Sequence, residues 1–407
     1  MSKSAKREKQ DGILPVFFWI FLTATLLVLF ILTMTLLDRN GTIARVKEQF
    51  AEWREEREAA KRAKNAGEKS VTYFGPSGIA EYDSWFSGGT WGDVDIENMP
   101  PDGQDVTIRQ DITVSPVNGS ESWWGKAKKL NGNVTLYAQA ETPLYGSPDK
   151  VGKVFGYTAA GEAFRLFAVF EDGWYVVTDG RFYYCSEGNR YTMVQPETVD
   201  FEAVFAAREE KKVVHTIKGV LQNPELPHGC EVTALTVLLS YYGCSADKCV
   251  LADEWLPKGT WGSTDFNKAF VGNPRKSVSS AGCFASVIED TANRYLQAQG
   301  SSLIAKSCRD VSFEELLSMV EEAPVIAWMT MELKAPYIAQ VWTVDGEELY
   351  WQNYEHCTVL SGYDLEKGVF YGADPLYGAC EYDMKLFFLR FQTMYSQVVR
   401  IENGTGY

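Results

Sequence analysis

Four residues in the C-terminal half of the sequence have side chains that together could break an amide bond. Cys230 follows a glycine and opens the apolar run at 227–242, PHGCEVTALTVLLSYY. Gln222 lies shortly before it, and His356 and Asp374 lie at the ends of two later apolar runs. A thiolate is a nucleophile, a histidine can carry its proton, a carboxylate can orient the histidine, and an amide N–H can stabilise an oxyanion. The set indicates attack by a thiol on a carbonyl group.

The run that follows Cys230 predicts a helix buried on every side, because it is apolar almost all round. Gly243 is the expected stop at its C-terminus. Cys230 would then lie at the helix N-terminus, where the positive end of the helix dipole favours thiolate over thiol. Gly229 would allow another part of the backbone to approach closely. The alternative is an inert core cysteine, since free cysteine is among the most buried residue types.

Two alternating runs near the C-terminus predict a hairpin. HCTVLSGY begins at His356 and VFYGAD ends at Asp374, with a turn at 364–368 between them. If the hairpin is centred near residue 365, His356 lies opposite Asp374. One strand pair would then present a base and its orienting carboxylate side by side.

Composition sets limits on the partners. The chain has 407 residues, 45% of them apolar, which is enough for two or three domains with sizeable cores. Its net charge of −15 argues against a nucleic-acid-binding surface. We therefore expect no nucleic-acid partner, and the sequence predicts no particular oligomeric state.

The cysteine and histidine spacings do not predict a metal site. The eight cysteines are irregularly spaced, and Cys244 and Cys249 could close a small disulfide loop. Only three histidines are present, and none is spaced with cysteines as a tetrahedral zinc site requires. We therefore expect no metal and no cofactor.

The N-terminal part predicts a membrane anchor. Residues 1–12 are short and basic, and residues 13–37 carry no charge. At about 1.5 Å per residue, that stretch spans roughly 38 Å, enough for one transmembrane helix. A cleaved signal peptide is the alternative, but the run is long and no small-residue cleavage site follows it. The preceding basic residues predict a cytoplasmic N-terminus, with the rest of the chain, from a charged helical spacer at 38–70 onwards, outside the membrane.

Two further segments precede the region around Cys230. Residues 71–130 are rich in Gly, Pro, Asp and Trp and predict irregular structure. Residues 131–197 show short alternating runs with frequent turn signals, the pattern of a small antiparallel barrel. This segment also resembles the bacterial SH3-like domain, on VGKVFGYTAAGEAFRL and DGWYVV. That resemblance suggests binding of cell-wall peptides, and the alternative is a packing module that braces its neighbour.

The remaining segment, 198–407, carries Gln222 shortly before Cys230 and the blocks GCEVTAL, LADEWLP, AFVGNP, PVIAWMTM, EHCTVLSGYD and ADPLYG, in that order. On these residues, the chain from about 221 to 401 resembles the C39-like peptidase family, a papain-like fold. The resemblance implies Cys230 as nucleophile, His356 as general base, Asp374 as its orienter and Gln222 in the oxyanion hole.

The sequence as a whole therefore predicts an α+β protein: a papain-like peptidase domain, a small all-β SH3-like barrel and one N-terminal transmembrane helix. We expect an extracytoplasmic thiol hydrolase on the cell membrane that cleaves a peptide or amide bond by Cys-His-Asp catalysis. Two alternatives stay open. One is a hydrolase of peptidoglycan stem peptides that uses the same residues, and the other is a catalytically silent binding or scaffold protein of the cell envelope.

Overall fold

The computed structural model describes residues 72–74, 126–150 and 153–404. The predicted N-terminal tail, transmembrane helix and charged spacer, together spanning 1–70, lie outside these residues and stay predictions. In the described ranges, no helix is long and apolar enough to cross a membrane.

The described part of the chain contains six α-helices, three short helical turns of other types and nineteen strands. The helices are α1 (Phe201–Ala207), α2 (Cys230–Tyr241), α3 (Lys248–Val250), α4 (Ala285–Ala298), α5 (Phe313–Glu322) and α6 (Met384–Thr393). The strands are β1 (Thr72–Phe74), β2 (Lys128–Ala138), β3 (Thr142–Tyr145), β4 (Val154–Thr158), β5 (Ala163–Val169), β6 (Trp174–Thr178), β7 (Tyr183–Glu187), β8 (Tyr191–Thr192), β9 (Lys212–Val214), β10 (Lys258–Gly259), β11 (Phe270–Val271), β12 (Leu303–Cys308), β13 (Val325–Thr330), β14 (Ile338–Val344), β15 (Glu347–Gln352), β16 (Glu355–Asp364), β17 (Val369–Asp374), β18 (Gly378–Asp383) and β19 (Val398–Asn403).

The larger sheet lies between two layers of helices. Its strand order is β1-β18-β17-β16-β13-β19-β12, and β9 also pairs with β16. Side chains of β13 alternate between the two faces, as expected for a strand. Ile326 and Trp328 pack in one apolar core with α2 and α4, whereas Val325 and Ala327 pack in another with α1, α5 and α6. The helix that begins at Cys230 is therefore fixed against the strand that carries His356.

The predicted helix after Cys230 is confirmed. Helix α2 runs from Cys230 to Tyr241, and all but the last two of its residues are buried. Gly243 has a positive φ of 78°, a conformation that costs glycine little and ends the helix. The all-round apolar pattern therefore predicted both the helix and its burial correctly.

The hairpin of β16 and β17 forms, but its register differs from the prediction. Val359 pairs with Ala373, and a bulge around Ser361 shifts the pairing that follows it. Asp374 consequently lies across from Thr358, and His356 lies two positions along the same strand face. A diagonal pair of this kind still brings long side chains into contact. The pairs next to the turn, such as Asp364 with Val369, centre the turn later than residue 365, and the bulge offsets part of that shift, so the prediction was wrong by two positions.

The predicted irregular segment contains one strand of the larger sheet. Residues Thr72–Phe74 form β1, which pairs in parallel with β18. The expectation of irregular structure was therefore wrong for these three residues, which are too few to show a strand pattern.

The smaller sheet has seven strands in the order β4-β3-β7-β6-β5-β2-β8. All its pairings are antiparallel, as the turn-rich pattern predicted. It begins at Lys128, slightly before the predicted boundary at 131. The SH3-like resemblance of this segment stays a prediction.

The smaller sheet packs against the β14–β15 hairpin. Ile338 and Val341 share an apolar core with Leu136 and Tyr175, and the backbone N–H of Ile338 donates to the Tyr175 hydroxyl at 2.5 Å. The contact between the smaller sheet and the β14–β15 hairpin therefore combines apolar packing with a hydrogen bond.

Arg390 joins the two sheets from inside. Its Nε donates to the carbonyl of Leu333 and one terminal nitrogen donates to Oε1 of Gln139, both at 2.9 Å. Burial lowers the pKa of Arg390 to about 10. A buried guanidinium persists only where such acceptors satisfy it.

Replacing Arg390 by alanine should therefore leave the buried acceptors of Leu333 and Gln139 unpaired. We expect Arg390→Ala to lower the free energy of unfolding by about 1–3 kcal/mol, measured by urea denaturation of the full chain. The control is Arg181→Ala, at an exposed arginine of the smaller sheet, with an expected change within about 0.5 kcal/mol. Equal midpoints for both variants would show that Arg390 does not join the sheets.

Candidate active site

Cys230 is held at the first turn of α2. Its side chain is 7% exposed, and Gly229 forms the N-cap. A Cβ atom on Gly229 would lie 2.6 Å from Cβ of Leu226, too close for any other residue without movement. The glycine before the cysteine therefore permits the tight turn that feeds the helix.

His356 and Asp374 are hydrogen-bonded to each other in the interior. Nε2 of His356 lies 3.0 Å from Oδ1 and 3.1 Å from Oδ2 of Asp374, and both side chains are 1% exposed. Asp374 also accepts the backbone N–H of Leu376 at 2.7 Å and the hydroxyl of Tyr382 at 2.8 Å. Burial raises the pKa of Asp374, but His356 and these donors outweigh burial and lower it overall. The carboxylate is thus kept ionised.

The other ring nitrogen of His356 is the one available to a second partner. Nε2 is bound to Asp374, which leaves Nδ1, and Cys230 is close enough to act electrostatically on the imidazole. Burial alone would lower the pKa of His356. Asp374, and then Cys230, outweigh burial and hold that pKa well above its ordinary value. His356 is therefore a strong acceptor for the thiol proton.

The surroundings of Cys230 do not favour a thiolate, contrary to the expectation from the helix dipole. The neighbouring thiol of Cys357, then burial, then the carboxylate of Glu231 raise the pKa of Cys230 well above its ordinary value. The helix terminus contributes only partial charge, whereas the ionised form of Glu231 places a full charge next to the sulfur. Deprotonation of Cys230 therefore depends on an acceptor such as His356.

Gln222 is hydrogen-bonded to two loops, one just before Cys230 and one just after Asp374. Its backbone N–H donates to the carbonyl of Pro375, and its Nε2 donates to the carbonyl of Pro227, both at 2.8 Å. Its Oε1 is buried, and no residue in the described part of the chain donates a hydrogen bond to it. An amide nitrogen carries two N–H groups, so one remains for another acceptor. Gln222 therefore lies in the loop before Cys230, with one side-chain N–H that neither of these hydrogen bonds uses.

Two acidic residues beside Cys230 were not singled out from the sequence. Glu231 is fully buried; its Oε2 accepts from Sγ of Cys230 at 3.4 Å, and its Oε1 accepts the backbone N–H of Cys283 at 2.8 Å. Burial raises the pKa of Glu231 to about 7 and also raises the pKa of Glu355. In the sequence, Glu231 could have been noticed as a charged residue at the second position of a helix that is otherwise apolar all round.

The two other histidines contact backbone carbonyls. Nε2 of His215 lies 2.8 Å from the carbonyl of Val320, and Nδ1 of His228 lies 2.7 Å from that of Lys276. All eight cysteines of the sequence are free thiols, including Cys244 and Cys249.

The residues around this site match a known family. Residues 214–399 match the model of the Peptidase C39-like family. A comparison with curated proteins gave no match. A solved structure from Bacillus anthracis, described as a C39-like peptidase, is 28% identical, with a TM-score of 0.42 over 47% of this chain and 96% of that one.

Two more distant structures are similar over comparable lengths. One is a double glycine motif protease from an AMS/PCAT transporter, in complex with the leader peptide, at 16% identity and a TM-score of 0.29 over 47% of this chain and 94% of that one. The other is xylellain, a cysteine protease from Xylella fastidiosa, at 12% identity and a TM-score of 0.25 over 50% and 94%.

The match and the mixed α and β fold define the class: this protein is a cysteine peptidase. Its peptidase domain, matched over 214–399, is C39-like.

The hydroxyl of Tyr382 donates to an ionised carboxylate, so its removal should be costly. We expect Tyr382→Phe to lower the free energy of unfolding by about 1.5–3 kcal/mol, the range for hydrogen bonds to charged groups. Tyr242→Phe is the matched control, because the hydroxyl of Tyr242 donates to the neutral carbonyl of Ile401 at 2.9 Å. Its expected loss is about 0.5–1.5 kcal/mol. Equal losses in denaturation experiments would contradict an ionised Asp374.

Proposed function

We propose that this protein is a membrane-anchored thiol hydrolase that cleaves a peptide or amide bond outside the cytoplasm. Cys230 is the nucleophile, His356 the general base and acid, Asp374 the residue that orients His356, and Gln222 an oxyanion donor. The observation that carries the proposal is the buried hydrogen bond of His356 to Asp374, in a site where Cys230 also acts on the imidazole.

The geometry suits acyl transfer through a thioester. His356 accepts the thiol proton as the sulfur of Cys230 attacks the carbonyl carbon. The negative charge that develops on the carbonyl oxygen requires a donor, and the unused N–H of Gln222 supplies it. His356 then returns the proton to the leaving amine. Water, deprotonated by the same imidazole, hydrolyses the thioester and frees the thiol.

The charge-free stretch at 13–37 is the basis for the membrane anchor. The basic residues before it place the N-terminus in the cytoplasm, and the peptidase domain on the outer side.

A second function, hydrolysis of peptidoglycan stem peptides, has one observation in its favour. The smaller sheet exposes three aromatic side chains, with Phe155 48%, Tyr157 62% and Phe182 62% exposed. Exposed aromatics of this kind suit contact with a wall polymer. The contacts of the same sheet with the β14–β15 hairpin do not distinguish a stem peptide from another peptide or amide substrate.

The proposed roles of Gln222 and Cys230 predict different effects of their substitution on turnover and on alkylation of the thiol. Gln222→Ala should lower kcat by about 10² or more, because the oxyanion loses a donor. Alkylation of Cys230 by iodoacetamide should survive, since alkylation forms no oxyanion. Cys230→Ala should abolish both. The substrate would come from a peptide library or isolated wall fragments.

Cys308→Ala is the matched control for the thiol, because Cys308 is a partly buried free thiol on β12. We expect it to keep turnover and Cys230 labelling. Full turnover in Gln222→Ala would show that Gln222 is structural. Turnover in Cys230→Ala would reject the proposed mechanism.

The proposed orientation can be tested on intact cells whose wall has been removed. Added protease should release the domain that contains Cys230, because that domain would lie outside the membrane. A cytoplasmic marker protein should stay intact in the same sample. Protection of the domain until the cells are lysed would contradict the orientation.

A further inference from the structure

One cluster of side chains lies beside the nucleophile but has no part in the proposed reaction. Sγ of Cys230, a carboxylate oxygen of Glu231 and one of Glu355 all lie within 4.8 Å of one another. They come from two elements, α2 and β16, which the packing of the helix on the sheet brings together.

One oxygen atom of the cluster has no hydrogen-bond partner among the described residues. It is Oε1 of Glu355, which is buried. A buried carboxylate oxygen is costly to leave unpaired, and a second carboxylate nearby increases the cost. Burial raises the pKa of Glu231, and His356, which opposes this shift, is already bound to Asp374.

Gly282 forms the wall that allows the two carboxylates to converge. A Cβ atom there would lie 2.5 Å from Oε2 of Glu355 and 2.6 Å from Oε1 of Glu231. Both distances are shorter than real Cβ contacts, so any larger residue would push the carboxylates away. The backbone N–H of Cys283, the next residue, holds Oε1 of Glu231 and leaves its Oε2 directed at the sulfur.

We propose that Cys230, Glu231 and Glu355 bind a zinc-class divalent cation that occupies the nucleophile and holds the peptidase inactive. One sulfur and two carboxylate oxygens are donors that zinc accepts, with water as the fourth ligand. Calcium and magnesium prefer six or more oxygen ligands, which these side chains do not supply. Binding replaces the thiol proton, which leaves to solvent, and the Zn–S bond then blocks attack on a carbonyl.

The sequence pointed away from metal because its histidines and cysteines lack zinc spacing. The proposed ligands are instead mainly carboxylates, and Glu355 is far from Cys230 in sequence. The Cys283 N–H on Glu231 is the kind of outer contact that orients a ligand. The inference shares Cys230 with the proposed function but does not rest on turnover.

The test is protection of Cys230 from iodoacetamide by Zn²⁺ alone, in the full-length protein, with Cys230 identified by peptide mass spectrometry. Each variant is compared with its own labelling rate without zinc. We expect protection in the wild type, and an apparent zinc affinity at least about tenfold lower in Glu355→Gln and Glu231→Gln. Glu366→Gln, at an exposed glutamate near the end of β16, is the matched control and should match the wild type. Mg²⁺ should not protect.

The variant His356→Ala distinguishes zinc bound at the proposed site from zinc bound by Cys230 and His356. Protection that is lost in His356→Ala but unchanged in both glutamate variants would overturn the proposal, as would no protection in the wild type. If the glutamate variants do not fold, Cd²⁺ titration decides: the thiolate absorbance of the wild type should exceed that of Cys230→Ala by one thiolate, and equal absorbance overturns the proposal. Zinc protection without turnover on any substrate would leave the inference standing and contradict the proposed function.

Discussion

Several ionisable groups are buried at the interface between α2 and the larger sheet. The arrangement of the site follows from that constraint. Isolated charges are costly there, so each one needs a partner. On one side, Asp374 has His356, the hydroxyl of Tyr382 and a backbone N–H. On the other side, Glu231 has a backbone N–H and the thiol of Cys230. The nucleophile lies between a satisfied acid–base pair and an acidic pair that is less well satisfied.

These two sides act on the thiol in opposite ways. Asp374 makes His356 a better proton acceptor, which helps the thiol to ionise. By contrast, Cys357, burial and then Glu231 raise the pKa of Cys230, which favours the protonated thiol. A cation near the acidic pair would reverse the second effect but would occupy the sulfur itself. The reactivity of Cys230 therefore depends on how the acidic pair is neutralised as well as on His356.

The sequence predicted the local features of the fold and missed the ones that depend on tertiary packing. Helix α2, its stop at Gly243 and the β16–β17 hairpin follow from residue pattern, which acts over a few positions. The register does not, because the alternating pattern specifies neither the centre of the turn nor the bulge at Ser361. The burial of Glu355 was equally invisible, since it requires a helix from much earlier in the chain. Arg390 was missed for the same reason, as its acceptors lie in other elements.

The short strand β1 extends the network of Asp374 towards the N-terminal part of the chain. Phe74 stacks on Tyr382 with ring centroids 5.6 Å apart and 17° between planes, and it meets Tyr377 edge-on at 5.1 Å. Tyr382 in turn donates to Asp374. Ring contacts of this kind contribute about 0.5–1.5 kcal/mol beyond buried area. The position of the carboxylate that orients His356 is thus supported by a strand that precedes the whole smaller sheet in sequence.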